Sequence, residues 1–122
     1  MRLPESAVKT DRLECIRIDD LSEWHRWTSV PGATIGTWQG SDAAEALDLV
    51  AALPTGDVMR CFLPGFGLRA YGTDQLFFEI AFCFECHNAL VIQPELDNRH
   101  DLIGFKADSR RAEDLLSRFR SL

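Results

Sequence analysis

The sequence has no apolar run approaching the roughly 18 residues that a membrane-spanning helix needs. Its longest candidate, Leu76 to Phe84, is interrupted by Glu79, so no bilayer-crossing helix is expected. Basic charge is also scarce. Between Arg26 and Arg60 there is no Lys or Arg, while Asp42, Glu45, Asp48 and Asp57 fall inside that gap. Thirteen basic residues against nineteen acidic ones leave a net charge of −6, which works against any partner held through a phosphate backbone or anionic lipid. Neither nucleic acid nor a membrane is an expected partner. A secretory signal needs an uninterrupted apolar stretch, whereas Arg2, Glu5, Lys9, Asp11, Arg12 and Glu14 are scattered through the opening residues, and a cytoplasmic location is expected.

Catalytic motifs are missing as well. The sequence contains no phosphate-binding G-x-x-x-x-G-K-[ST], no G-x-S-x-G, no H-E-x-x-H and no EF-hand loop, and no enzyme is expected on that ground. Pro64-Gly65-Phe66-Gly67 contains a G-x-G, but no Lys-Ser/Thr follows it and no helix opens there, so it reads as a turn. The adjacent carboxylates Asp19-Asp20 and Glu113-Asp114 read as capping or solvated charge.

What is present suits one folded domain over residues 1–122, with 46% hydrophobic and 26% charged residues. Residues 1–10 read as a tail or a loosely attached strand. Leu13 to Ile18 alternates like a strand with one face on a core. Asp19, Asp20 or Ser22 caps a short helix, Leu21 to Trp27. Ala33 to Trp38 is β-prone, and Ser41 or Asp42 caps a helix running through Leu53, with Ala43, Leu47, Val50 and Leu53 on one stripe. Val58 to Leu63, Gly67 to Tyr71, Gln75 to Phe84 and Ala89 to Gln93 read as four strands joined by gaps too short for parallel crossovers. Glu95 to Asp101 is turn-forming, Leu102 to Ala107 is an edge strand, and Ser109 caps a final helix with Ala112, Leu115, Leu116 and Phe119 at core spacing. The expected fold is α+β, an antiparallel sheet of four to six strands with N-terminal and C-terminal helices packed on one face.

The most unusual local sequence is Cys83-Phe84-Glu85-Cys86-His87, with Cys61 upstream. It supports three readings. A CxxC pair with Cys61 and one of His87, His25 or His100 makes a Cys₃His set for zinc. A CxxC pair is also a redox dithiol, although no helix follows to stabilise a thiolate. In the third reading these are reduced core thiols, because a continuous strand over residues 76–86 points Cys83 and Cys86 to opposite faces. Cys61-Phe62-Leu63-Pro64-Gly65-Phe66-Gly67-Leu68-Arg69, followed by Phe82-Cys83-Phe84-Glu85-Cys86, resembles small uncharacterised bacterial proteins that carry C-F-x-P, then G-hydrophobic-R, then C-F-x-C. That resemblance implies a bacterial cytoplasmic origin and a real grouping of Cys61 with Cys83 and Cys86, and it brings no activity.

The functional expectation is a small acidic binding protein that neutralises a partner, as bacterial immunity proteins do against toxin effectors, the partner being a basic toxin domain. The candidate contact residues are Asp42, Glu45 and Asp48 on the second helix, together with Phe77, Glu79 and Glu85 on a partly open sheet face. The alternative is a zinc-binding or redox-responsive thiol protein using Cys61, Cys83, Cys86 and His87.

Overall fold

A computed structural model describes every residue except Asn98. Six strands, β1 (Arg12–Ile18), β2 (Gly32–Gln39), β3 (Phe66–Tyr71), β4 (Leu76–Cys83), β5 (Asn88–Gln93) and β6 (Arg99–Gly104), form one sheet. Two helices accompany them, α1 (Ser41–Ala51) and α2 (Arg110–Arg120). The strand order is β2-β1-β3-β4-β5-β6, and every neighbouring pair is antiparallel. The fold is α+β, and its sheet is built as the short connections require.

The strands bury both faces. Leu13 and Cys15 of β1, Leu68 and Ala70 of β3, Phe78, Ile80 and Phe82 of β4, and Ala89 and Val91 of β5 share one apolar cluster with Ala43, Ala46, Leu47 and Val50 of α1 and Ala112, Leu115 and Phe119 of α2. The alternate residues Ile16, Ile18, Ala81, Cys83, Leu90 and Ile92 form a second cluster with Trp27, Val30, Phe62 and Cys86. Those last four lie outside the strands and helices, so loops close this second core. β1 therefore has cores on both sides rather than on one.

Several local expectations need correction. Residues 1–10 are not a tail: Glu5–Lys9 is a 3-10 turn, Leu3 and Ala7 pack on the first core, and the terminal amine donates to Ala51 O and Leu53 O. Leu21 to Trp27 is not an α-helix but a turn and a three-residue 3-10 segment, Trp24–Arg26. A seven-residue helix recovers little for its costly nucleus, and here Asp20 accepts from Ser22 while the Trp27 indole donates to Ser22 O. The helix nearest the N-terminus is thus α1, in mid-chain, and it starts from Gly40 at φ 57° with no side-chain cap. Val58 to Leu63 forms no strand. Glu95 to Asp101 is only partly turn, because β6 already begins at Arg99, and Asn98 lies outside the described residues. Ser109 does cap α2, its Oγ accepting from Ala112 N at 3.3 Å.

β4 ends at Cys83, and residues 84–87 turn the chain into β5, with Cys83 paired to Asn88. His87 closes that turn at φ 58°, a left-handed conformation that non-glycine residues rarely adopt. At the same end of the sheet, where Asn88 pairs with Gly104, a Cβ on Gly104 would meet Gly56 O at 2.3 Å. The bare glycine lets residues 55–57 run against the sheet, where Gly56 N donates to Gly104 O.

Candidate functional site

Loops carry unpaired backbone groups wherever they cover a sheet, and those groups need partners. The strands supply them from a row of polar side chains. Glu14 pairs in register with Arg69, Arg69 with Glu79, Glu79 with Ile92 and Ile92 with His100. Glu79 is 0% exposed, and its Oε1 accepts from Arg69 Nε at 2.9 Å, Val30 N at 3.0 Å and Ser29 Oγ at 2.9 Å. Arg69 also donates through Nη2 to Val30 O at 2.6 Å and through Nη1 to Glu14 Oε1 at 2.9 Å. His100 Nε2 meets Trp27 O. Burial opposes the charge on Arg69, but hydrogen bonds and attraction from Glu79 and Glu14 outweigh it and hold its pKa above the ordinary value. The row clamps residues 27–30 onto the sheet. Its polar groups bond to the loop backbone and to one another, except that the buried Glu79 Oε2 meets no hydrogen-bond partner, and the row anchors the loop.

A second loop, residues 57–65, is fixed in three ways. Cys61 and Cys86 form a disulfide with Cα atoms 6.0 Å apart. Asn88 is fully buried; its Oδ1 accepts from Met59 N at 3.0 Å, and its Nδ2 donates to Met59 O at 2.9 Å and Cys61 O at 3.0 Å. Phe62 inserts into the second core and meets the Trp24 ring edge-on at 5.1 Å. The same loop leaves Val58 53%, Met59 46% and Leu63 55% exposed. These three large apolar side chains are thus exposed on a loop whose backbone is tied at Met59 and Cys61.

No protein-family model, curated protein or solved structure matches the chain. The site is therefore read from its own geometry.

The expected contact residues separate. Asp42, Glu45 and Asp48 are exposed on α1, and Glu45 is drawn to Arg118 Nη2 at 3.2 Å. Phe77, Glu79 and Glu85 do not share an open face. Glu79 lies beneath the Ser29–Val30 segment, Glu85 is exposed in the turn after β4, and Phe77 is half-buried on a cleft of about 1100 Å³ beside Leu3, Val91, Arg99 and Asp101. The open-face expectation fails because loop residues cover that side of β4.

The cysteines also depart from expectation. With the chain turning after Cys83, Cys83 and Cys86 enter the same apolar cluster instead of pointing apart, and Cys86 N donates to Cys83 Sγ at 3.1 Å. Cys61 and Cys86 are joined rather than reduced. His87 turns its Nδ1 to accept from Ala107 N, away from a ligand role beside them. Among the described residues no group of three or more His, Cys, Asp and Glu side chains assembles as a metal site. Cys15 lies in the other core, where burial and then Glu14 push its thiol up to about 12.

Arg69, Asn88, Val58, Met59 and Leu63 carry the site without having been singled out by role. A signal for the first was present: Arg69 is the only charge in β3 and Glu79 the only one in β4, and a hairpin turning through Gly72-Thr73-Asp74 sets them opposite one another.

Proposed function

We propose that this chain acts by binding another protein and neutralising it, in the manner of immunity proteins that occupy toxin effectors. The observation that carries the reading is the exposure of Val58, Met59 and Leu63 on a loop fixed by Asn88, Phe62 and the Cys61–Cys86 bond. Ordering a contact loop before encounter removes part of the entropy cost of association. Glu85 stands next to Cys86 in the chain, hence near the loop, and adds acidic charge at its border; Asp42 and Asp48 add more on α1. With a net charge of −6, capture of a basic partner is accelerated. The contact surface proposed is therefore an apolar centre at the loop with acidic steering, in place of the Phe77 and Glu79 face.

A cytoplasmic location belongs to the same proposal. No helix among the described residues is long and apolar enough to cross a membrane. In that compartment a disulfide is commonly transient or redox-sensing, which favours the thiol-responsive alternative over a zinc site as a second property of the same loop.

The test is retention of a basic protein on immobilised wild-type chain, compared with Val58→Asp/Leu63→Asp and with Asp42→Lys/Asp48→Lys, followed by co-expression of that protein. The expected result is loss of retention with the loop variant, slowed association with the helix variant, and growth inhibition by the partner that only wild type relieves. Unchanged affinity in the loop variant, with its fold intact by circular dichroism, overturns the reading.

A further inference from the structure

Three of the four cysteines meet at one end of the sheet, and they differ in access. Cys61 is exposed, Cys86 is 3% exposed, and Cys83 is fully buried with its sulfur 3.1 Å from the backbone nitrogen of Cys86. Cys83 and Cys86 are the first and fourth residues of a reversing chain. Such a turn brings its ends within about 7 Å, a span close to what a disulfide bridges. Cys86 thus has a partner on each side, already bonded to Cys61 and directly beside the free thiol of Cys83.

We propose that Cys61, Cys83 and Cys86 form a thiol–disulfide exchange site, in which the bond on Cys86 passes between Cys61 and Cys83. As the turn opens locally and admits water, the Cys83 thiol gives up its proton to that water, and its sulfur forms a bond to Cys86 Sγ. The Cys61–Cys86 bond breaks, and Cys61 leaves with the electron pair and takes a proton from water. One disulfide is consumed and one is made, so no external oxidant or reductant enters. Exchange runs through a thiolate and is favoured by a well-solvated leaving sulfur, which Cys61 provides. The product displays a free thiol at Cys61, on a loop still held by Asn88 and Phe62, where it can form a mixed disulfide with an exposed thiol of another molecule. Cys15, in the other core, is the internal control. The exchange stands on the cysteine geometry alone and holds whether or not the loop meets a protein partner.

The experiment uses the oxidised full chain, purified without reductant and incubated at pH 8 with N-ethylmaleimide. Denaturation, proteolysis and mass spectrometry then locate the label and the disulfide. The expected result is label accumulating on Cys61 with Cys83 and Cys86 linked in one peptide, while Cys15 stays unlabelled. In Cys83→Ala, and in Cys83→Ser as a second check on folding, Cys61 labelling falls at least tenfold and the Cys61–Cys86 linkage persists. A wild-type chain that keeps Cys61–Cys86 as its only linkage throughout, or takes its label on Cys83, overturns the proposal. So does a count of four free thiols before incubation. Each of these readouts comes from the wild-type chain alone and remains decisive if the variants fail to fold.

Discussion

Removing the guanidinium of Arg69 should destabilise the fold far more than removing an ordinary surface ion pair. Arg69→Met keeps most of the aliphatic stem but leaves the fully buried Glu79 carboxylate with only Ser29 and Val30 as donors, and it frees Val30 O and Glu14. Breaking a buried pair from one side costs about 3–5 kcal/mol, because the remaining charge stays desolvated. At this chain length that corresponds to a fall in Tm of roughly 10 °C or more. Glu79→Gln is milder, about 2 kcal/mol: it keeps one acceptor for the three donors but places an amide NH₂ where Oε2 meets no protein partner. The diagnostic variant is Arg69→Met/Glu79→Leu, which removes both charges together. It should be more stable than Arg69→Met alone, with a coupling energy of about 2–3 kcal/mol in a double-mutant cycle. Urea unfolding followed by tryptophan fluorescence measures this, provided the slope m is common to all four proteins. A cost below about 1 kcal/mol for Arg69→Met, or simple additivity in the double variant, would refute the clamp.

Two further outcomes follow from the same geometry. Asn88→Ala deletes three hydrogen bonds to the backbone of Met59 and Cys61 and should cost about 2–4 kcal/mol; limited proteolysis should cut residues 57–63 at least tenfold faster, and an unchanged cleavage rate would remove Asn88 as the loop's anchor. Cys15 gives an alkaline signature: its thiol rises from 9.0 unfolded to about 12 folded, so the native state retains a proton that the unfolded state has lost, and stability, full below pH 9, falls as pH rises towards 12. Between pH 8 and pH 10 the wild type should lose roughly 1.4 kcal/mol more than Cys15→Ala, read from urea midpoints at the two pH values; parallel curves would show that the thiol is not buried in the fold.

The strands were legible because their signals are local. Leu13 to Ile18, Gly67 to Tyr71 and Ala89 to Gln93 carry β-prone residues between turn formers, and their short connections dictated antiparallel pairing. Ser109 was equally readable as a cap on α2. The site was not legible, for a single physical reason. A period of two separates the faces of a strand, but it does not say what covers each face. Glu79 alternates onto the side opposite Phe78 and Ile80, and a solvated surface was the simplest expectation for a carboxylate there; only the return of Ser29 and Val30, fifty residues upstream, makes it a buried acceptor. The Cys83–Cys86 geometry failed in a related way. Extending β4 to residue 86 pointed the two sulfurs apart, whereas the turn closed by His87 brings them to one side. Val58 to Leu63 is apolar enough for a strand, yet its backbone bonds go to the Asn88 side chain and not to a neighbouring strand.

The clamp and the Asn88 side chain solve the same problem. A helix laid on a sheet satisfies its own backbone, so apolar packing alone can hold it. The second core is closed by residues 19–31 and 57–65, which lie largely outside regular structure and bring carbonyls and amides to an apolar surface. Leaving one such group buried without a partner costs about 1–3 kcal/mol, so the strands beneath must supply polar partners within the core itself. Arg69, Glu79 and His100 do so for one loop, and Asn88 does so for the other, which the Cys61–Cys86 bond ties covalently as well. Polar groups placed there specify one arrangement more narrowly than apolar contacts, because each hydrogen bond is lost by a shift of about an ångström. An apolar loop closure at Val58, Met59 and Leu63 would have allowed several packings. In its place, bonds from the Asn88 side chain fix the backbone at Met59 and Cys61 while Val58, Met59 and Leu63 stay exposed.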